Sequence, residues 1–249
     1  MPKFKLFAAK KGKQDQARNN QWVKLAREIY VQAKQGGPNP DANFALKTAI
    51  ANARAVNMPM DNVDRAIKKA AGAGEGNVDY EEIYYEGYGP GGVAIMVKCL
   101  TENRNRTAAD VRAIFNKRGG NMGESGCVAY MFDQKGVLSV SREEFERDED
   151  TVMMEALEAG AEDVLVNEDS FEITTHPHEF ELVKSALEQQ GYSFDTAEIR
   201  WIPQNTVEAS GENAEKLLKM MSAFEENDDV QDVFANFEIS DDEMARIGQ

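Results

Sequence analysis

A chain of 249 residues, 42% hydrophobic and 29% charged, is long enough for two or three globular domains and needs no staples to fold. Its two cysteines, Cys99 and Cys127, do not make a disulfide framework and read as buried thiols on strands. No run is long and apolar enough to span a bilayer, and Leu6 to Ala9 is too short for a signal-peptide core, so the expected compartment is the cytoplasm. The net charge of −16 conceals a division near Gly74. Residues 1–74 hold fourteen Lys and Arg against five Asp and Glu, a surplus of nine positive charges. The remainder holds fourteen basic residues against thirty-nine acidic, a deficit of twenty-five. A basic module joined to an acidic body favours a polyanion at one end and limits indiscriminate adhesion elsewhere.

Residues 1–20 are Lys-rich and poor in apolar side chains after Phe7, which predicts an arm that is mobile when unbound. A helix is expected from Gln21 to about Gln35, stopped by Gly36-Gly37-Pro38. Trp22, Ala26, Ile29, Tyr30 and Ala33 fall on one side of it and Lys24, Arg27 and Lys34 on the other, a core face and a cationic face. Asn39-Pro40-Asp41 starts a second helix with Phe44, Leu46, Ala49, Ile50 and Ala53 as buried candidates and Lys47 and Arg54 as basic ones. After the break at Asn57-Met58-Pro59, a third helix buries Val63, Ala66, Ile67 and Ala70 and leaves Arg65, Lys68 and Lys69 outside that stripe. Gly72 to Gly76 reads as a linker.

The stretch from Glu82 to Phe132 reads as strand, helix, strand. Closely spaced Gly and Pro from Tyr84 to Gly92 mark turns, and Val93 to Leu100 is a strand with apolar residues on both faces. Thr107 is expected to cap a helix carrying Val111, Ile114 and Phe115, which Gly119-Gly120 ends. Cys127 to Phe132 is the next strand. Beyond it, strands at 136–140, 163–166, 170–175 and 197–202 alternate with helices stopped by Gly160 and Gly191, the βαββαβ order of a split-βαβ, ferredoxin-like sandwich. A strand at 206–208, a helix carrying Leu217, Leu218, Met221 and Phe224, and a strand at 230–237 form a last βαβ able to complete the one begun at Glu82.

The expected fold class is therefore α+β: an N-terminal three-helix domain, then two ferredoxin-like α/β sandwich domains, one inserted in the other. Residues 1–77 form the basic helical domain, residues 78–134 with 203–240 a discontinuous α/β domain, and residues 135–202 the insertion.

Glu28-Ile29-Tyr30, Gly36-Gly37-Pro38, Asn57-Met58-Pro59, Arg65 to Lys69 and Tyr84 to Val93 resemble the YebC/PmpR family. Asn103 to Thr107, Gly119-Gly120-Asn121 and Ala235-Asn236-Phe237 extend the resemblance over nearly the whole chain. The resemblance implies three domains and a role as a DNA-binding transcriptional regulator or a ribosome-associated translation factor; the family also includes a mitochondrial translational activator of cytochrome oxidase. The arm departs from the family's usual Gly-His-Ser-Lys-Trp lead. It keeps the charge, in Lys10-Lys11-Gly12-Lys13, but not the Trp and His, as in a divergent paralogue.

Materials for catalysis are sparse. His176 and His178 flank Pro177 at a helix start and read as a surface turn, and the acidic runs 148–150 and 225–229 lack calcium-loop spacing and read as solvated edges. Gly89 to Gly92 precedes a strand and lacks the Lys-Ser/Thr of a phosphate loop. Tyr84, Tyr85 and Tyr88 suit sheet packing or base stacking. No enzyme activity, cofactor, metal site, membrane contact or small-molecule substrate is expected. The expected partner is nucleic acid, either DNA or ribosomal RNA, with the ribosome included. The candidate surface comprises Lys3, Lys5, Lys10, Lys11, Lys13, Arg18, Lys24, Arg27, Lys34, Lys47, Arg54, Arg65, Lys68 and Lys69, extended by Arg104, Arg106, Lys117 and Arg118 around the helix after Val93 to Leu100. The alternative is a protein-interaction adaptor that uses the acidic α/β domains, with Tyr88 and the Gly-rich turn as a contact.

Overall fold

A computed structural model describes residues 11–72, 78–142 and 147–247, with side chains from residue 18 onward. It divides into two compact units, one within Met1–Ala129 and Thr206–Gln249 and the other Tyr130–Asn205. The first unit opens with α1 (Lys11–Gly36), α2 (Phe44–Ala55) and α3 (Met60–Ala70). Residues 11–20 are thus helical, a correction to the loose arm, because the Lys, Gln, Ala and Arg of that stretch are good helix formers once Trp22 and beyond are anchored. Lys3, Lys5 and Lys10 lie outside the described residues. Asn43, not Asn39, caps α2: its Oδ1 accepts from Leu46 N at 3.1 Å while its Nδ2 donates to the Gln32 and Gly37 carbonyls at 2.8 Å. A Cβ at Gly36 would lie 2.6 Å from that Asn43 amide, so glycine permits the close approach. Ile29, Ala33, Leu46, Ala49, Ile50, Ala53, Met58, Val63 and Ala66 form the helical core. Phe44 is 45% exposed, against expectation, because two residues before Leu46 on a helix is nearly the opposite face.

The chain then forms a hairpin of β1 (Glu81–Tyr88) and β2 (Ala94–Thr101), paired antiparallel from Glu81–Thr101 to Tyr88–Ala94. The Gly and Pro cluster does not turn throughout, as expected from Tyr84; only Gly89 to Val93 turns, and Gly87 lies within β1. A Cβ at Gly87 would stand 2.5 Å from the Asn121 carbonyl oxygen, so this glycine serves close strand contact. β2 is buried on both faces, as its apolar run predicts. The helix α4 (Arg104–Lys117) is capped by Asn103, whose Oδ1 accepts from Arg106 N at 3.1 Å, and not by Thr107, which is fully buried one turn inside. β3 (Asn121–Met122) then pairs with Gly87 and Tyr88. Residues 127–131 are not a strand. Buried Glu86 accepts from the backbone amides of Gly126, Val128 and Ala129 at 2.7–2.8 Å, which removes those donors from any ladder and curls the segment into a single 3-10 turn at Ala129–Met131.

The second unit contains β4 (Phe132–Ser141), α5 (Glu149–Ala159), β5 (Asp163–Val166), β6 (Ser170–Thr175), α6 (Phe180–Gln189) and β7 (Thr196–Pro203). Its antiparallel sheet has the order β5-β6-β4-β7, the ferredoxin-like arrangement the element order implies. Asp148 caps α5 by accepting from Thr151 N at 2.9 Å, and Gly160 ends it with φ 103°. Leu138, Val140, Val152, Phe171, Ile173, Phe180, Val183 and Leu187 fill the space between helices and sheet.

The first unit resumes with β8 (Val207–Glu208), α7 (Gly211–Glu225), β9 (Val230–Ala235), β10 (Phe237–Glu238) and α8 (Asp241–Ile247). β9 pairs antiparallel with β2, giving the sheet order β3-β1-β2-β9. Position for position this repeats the second unit's sheet, except that the inner strand beside β3 comes first in the chain. The apolar run 230–237 is two strands, not one. Asn236 interrupts it by accepting from Ala94 N at 2.7 Å through Oδ1 and donating its own amide to Ala94 O at 3.1 Å, which frees β10 to pair in parallel with β8. β8 therefore does not enter the main sheet. α4 and α7 cover one face of that sheet, with Phe115 and Phe224 edge to face at 5.1 Å.

Candidate nucleic-acid interface

The predicted cations separate into two groups once their partners are placed. Lys24 lies opposite the core stripe of α1, while Arg27 and Lys34 flank the stripe beside Tyr30; all three turn toward the α/β part of the same unit. Lys24 Nζ donates to Glu225 O at 2.8 Å, and Lys34 Nζ donates to the Asp79 carboxylate and to Val78 O. Burial pulls the Lys24 ammonium below its ordinary pKa, against the opposing fields of Glu225, Asp232 and Asp228. Arg27 donates to Asp228 O at 2.7 Å and to Asp229 Oδ1 at 2.8 Å. Arg104 pairs with Glu81 at 3.4 Å on the surface, and Arg106 reaches Asp229 Oδ2 at 3.0 Å.

Asp229 organises this junction. It is 5% exposed and holds two arginines from different elements, α1 and α4. Thr107 Oγ1 donates to its Oδ2 at 2.7 Å, and Thr101 lies 2.8 Å from Thr107 while accepting from Asn103 N at 2.9 Å. Burial alone would raise the Asp229 pKa; the bonds from Thr107, Arg106 and Arg27 outweigh it and hold the carboxyl below its ordinary value. The run 225–229, expected to be a solvated edge, thus contains a buried ion-pair centre.

The second group faces solvent. Lys47 and Arg54, seven residues apart, share a face of α2, and Arg65, Lys68 and Lys69 share a face of α3. All five are exposed, and none is paired with a carboxylate among the described residues. Lys69 Nζ stands 5.7 Å from the centre of the Tyr30 ring. Lys68 and Lys69 end α3, as Lys117 ends α4, where a cation also complements the helix dipole. Arg18 and Arg118 are exposed; Lys11 and Lys13 lie in the first turn of α1, before the first described side chain.

Tyr85 and Tyr88 spend their hydroxyls internally, on Arg104 O at 3.1 Å and Cys127 O at 3.0 Å. Cys99 is buried, and burial pushes its thiol up to about 12, so it is a poor nucleophile. Cys127, expected on a strand, is half-buried in the loop that Glu86 holds. His176 and His178 stack at 5.2 Å on an exposed turn. Among the described residues, no group of three or more His, Cys, Asp or Glu is placed to hold a metal, and no helix is long and apolar enough to cross a membrane. Sequence reasoning missed Asp229, which was hidden in an acidic run.

A basic three-helix head is thus joined by its first helix to an α/β sandwich. The chain belongs to the TACO1/YebC family. Residues 2–73 match the description "TACO1/YebC protein N-terminal domain" and residues 80–237 match "TACO1/YebC second and third domain". A "probable transcriptional regulatory protein" of Geobacillus sp. (strain WCH70) is 51% identical over 238 residues, 96% of each chain. One of the same description from Geobacter sulfurreducens is 51% identical over 246 residues, 98% of each. The crystal structure of a conserved hypothetical protein from Aquifex aeolicus superposes with a TM-score of 0.81 at 48% identity, covering 93% of this chain and 95% of that one.

Proposed function

We propose that the chain is a nucleic-acid-binding regulator of gene expression that acts by docking, not catalysis, and that its contact surface is the solvent-facing basic side of α2 and α3. The observation that carries this reading is the division of the cations: Arg27 and Arg106 are committed to Asp229, whereas Lys47, Arg54, Arg65, Lys68 and Lys69 have no carboxylate partner among the described residues. Unpaired surface cations grouped on two helices suit phosphate oxygens, while the acidic remainder of the chain restricts contact to this end. Lys117 and Arg118, about 20 Å from Arg106 at the other end of α4, offer a second and separate basic contact, and Lys24, Arg27, Lys34, Arg104 and Arg106 support the first by fixing the helices. The regulatory role agrees with the descriptions of the relatives.

Replacement of Lys47, Arg54, Arg65, Lys68 and Lys69 by Ser is expected to abolish binding to nucleic acid while leaving the thermal transition in place. Retained binding would refute the assignment. Whether the target is a DNA operator or ribosomal RNA is decided by sedimenting lysate with and without RNase and, in parallel, competing a promoter fragment against random duplex. Ribosomal co-migration that RNase abolishes supports a translation role in the cytoplasm, and a promoter preference of about a thousandfold or more without it supports a transcriptional one.

A further inference from the structure

Between α1 and α3, beside the segment leading into β1, runs an open groove of about 530 Å³. Trp22, Tyr30 and Tyr80 line it, Arg65 and Lys69 stand along it, and its described lining contains no carboxylate. These rings are fixed in advance. Trp22 Nε1 donates to Val56 O at 3.4 Å. The Tyr30 hydroxyl donates to Val78 O at 2.9 Å and accepts from Val78 N at 3.2 Å. Tyr30 and Tyr80 meet edge to face at 5.6 Å, and Arg27, itself held by Asp229, stands 5.6 Å from the Tyr80 ring centre. Tyr30 is buried, but Trp22 and Tyr80 are half-buried and keep surface open to the groove.

Fixed π surfaces select a flat ligand, and neighbouring cations without carboxylates select an anionic one. A nucleotide combines both properties. We propose that this groove takes one unstacked base of a single-stranded nucleic acid, held against Trp22 and Tyr80, with the adjoining phosphates on Arg65 and Lys69. The inference rests on the phosphate-docking function above and adds to it a strand state, since a duplex keeps its bases stacked and presents only backbone to such a groove.

The test uses the full chain with Trp201→Phe, which leaves Trp22 as the only indole of the two. It is titrated with a short single-stranded RNA, the same sequence as single-stranded DNA, the corresponding duplex, and a polyglutamate peptide. Either single strand is expected to quench Trp22 emission, and the duplex and peptide to leave it unchanged. Tyr80→Ala is expected to weaken single-strand binding roughly five- to a hundredfold, and Tyr80→Trp to preserve it. Salt-dependent single-strand binding with unquenched Trp22 and no effect of Tyr80→Ala would overturn the groove yet leave phosphate docking intact. Absence of all nucleic-acid binding would overturn both. Equal quenching by polyglutamate would overturn the base as occupant and identify an acidic peptide instead. If Tyr80→Ala unfolds, as read by circular dichroism, the Trp22 signal alone decides.

Discussion

Replacing Asp229 with Asn keeps the shape of the junction and removes its charge. The carboxylate accepts from Arg27 at 2.8 Å, Arg106 at 3.0 Å and Thr107 at 2.7 Å, and its side chain is 7% exposed. Removing one partner of a buried pair costs about 3–5 kcal/mol, because the opposite charge is left uncompensated. Arg106 is about half exposed and regains water, so the lower end of that range is expected, about 3 kcal/mol. At roughly 2–4 °C per kcal/mol for a protein of this size, the melting temperature falls by about 6–12 °C. The pH dependence has a definite sign. A carboxyl whose folded pKa is depressed contributes stability above its unfolded value of about 3.9 and loses it as pH falls through the folded value. The gap between wild type and Asp229→Asn should therefore be full at neutral pH and narrow below about pH 4. Differential scanning calorimetry from pH 3 to pH 8 measures both. A shift below about 2 °C at pH 7, or a gap that widens on acidification, would refute the claim that Asp229 holds the helical head to the sandwich.

Three further outcomes follow from the same structure. Glu86→Gln leaves part of the amide set of Gly126, Val128 and Ala129 without an acceptor, at about 1–3 kcal/mol, so hydrogen exchange at those amides accelerates and the urea midpoint drops. Cys99, buried and pushed up to about 12, stays unreactive to a thiol reagent at pH 8 in the native protein, while half-buried Cys127 reacts slowly, its thiol raised by burial and by Glu86; one equivalent titrates before unfolding and two after. At Gly136 a Cβ would stand 2.3 Å from Thr175 Oγ1 and 2.5 Å from Phe180 Cδ2, so Gly136→Ala overpacks the second unit and costs about 1–3 kcal/mol by chemical denaturation.

The parts of the fold that were legible in the sequence are those set by local period and by stop signals. β5 and β6 fall at 163–166 and 170–175, either side of the polar Asn167-Glu168-Asp169 break, and Gly160 ends α5 in the left-handed conformation that its position after Ala159 suggests. The misses came from contacts between distant residues. Gly87 reads locally as a turn and becomes a strand because β3 packs against it, and residues 127–131 read as a strand until Glu86, forty residues earlier, takes their amides. Thr107 looks like a cap in isolation, yet Asn103 caps α4 and Thr107 turns inward to Asp229. The same limit applies to the candidate surface. Helical periodicity keeps Lys24 off the core stripe but leaves Arg27 and Lys34 at its border beside Tyr30, and it cannot distinguish a face turned to solvent from one turned to a second layer that carries Glu225 and Asp229.

The most direct test of phosphate docking by α2 and α3 is the salt dependence of binding. If Lys47, Arg54, Arg65, Lys68 and Lys69 each neutralise one phosphate, log K falls against log salt with a slope of about −3.5 on a single strand and about −4.5 on duplex DNA. Replacing Lys68 and Lys69 by Ser should make the single-strand slope shallower by about 1.4. A slope near zero, or one unchanged when all five are replaced, would contradict the account.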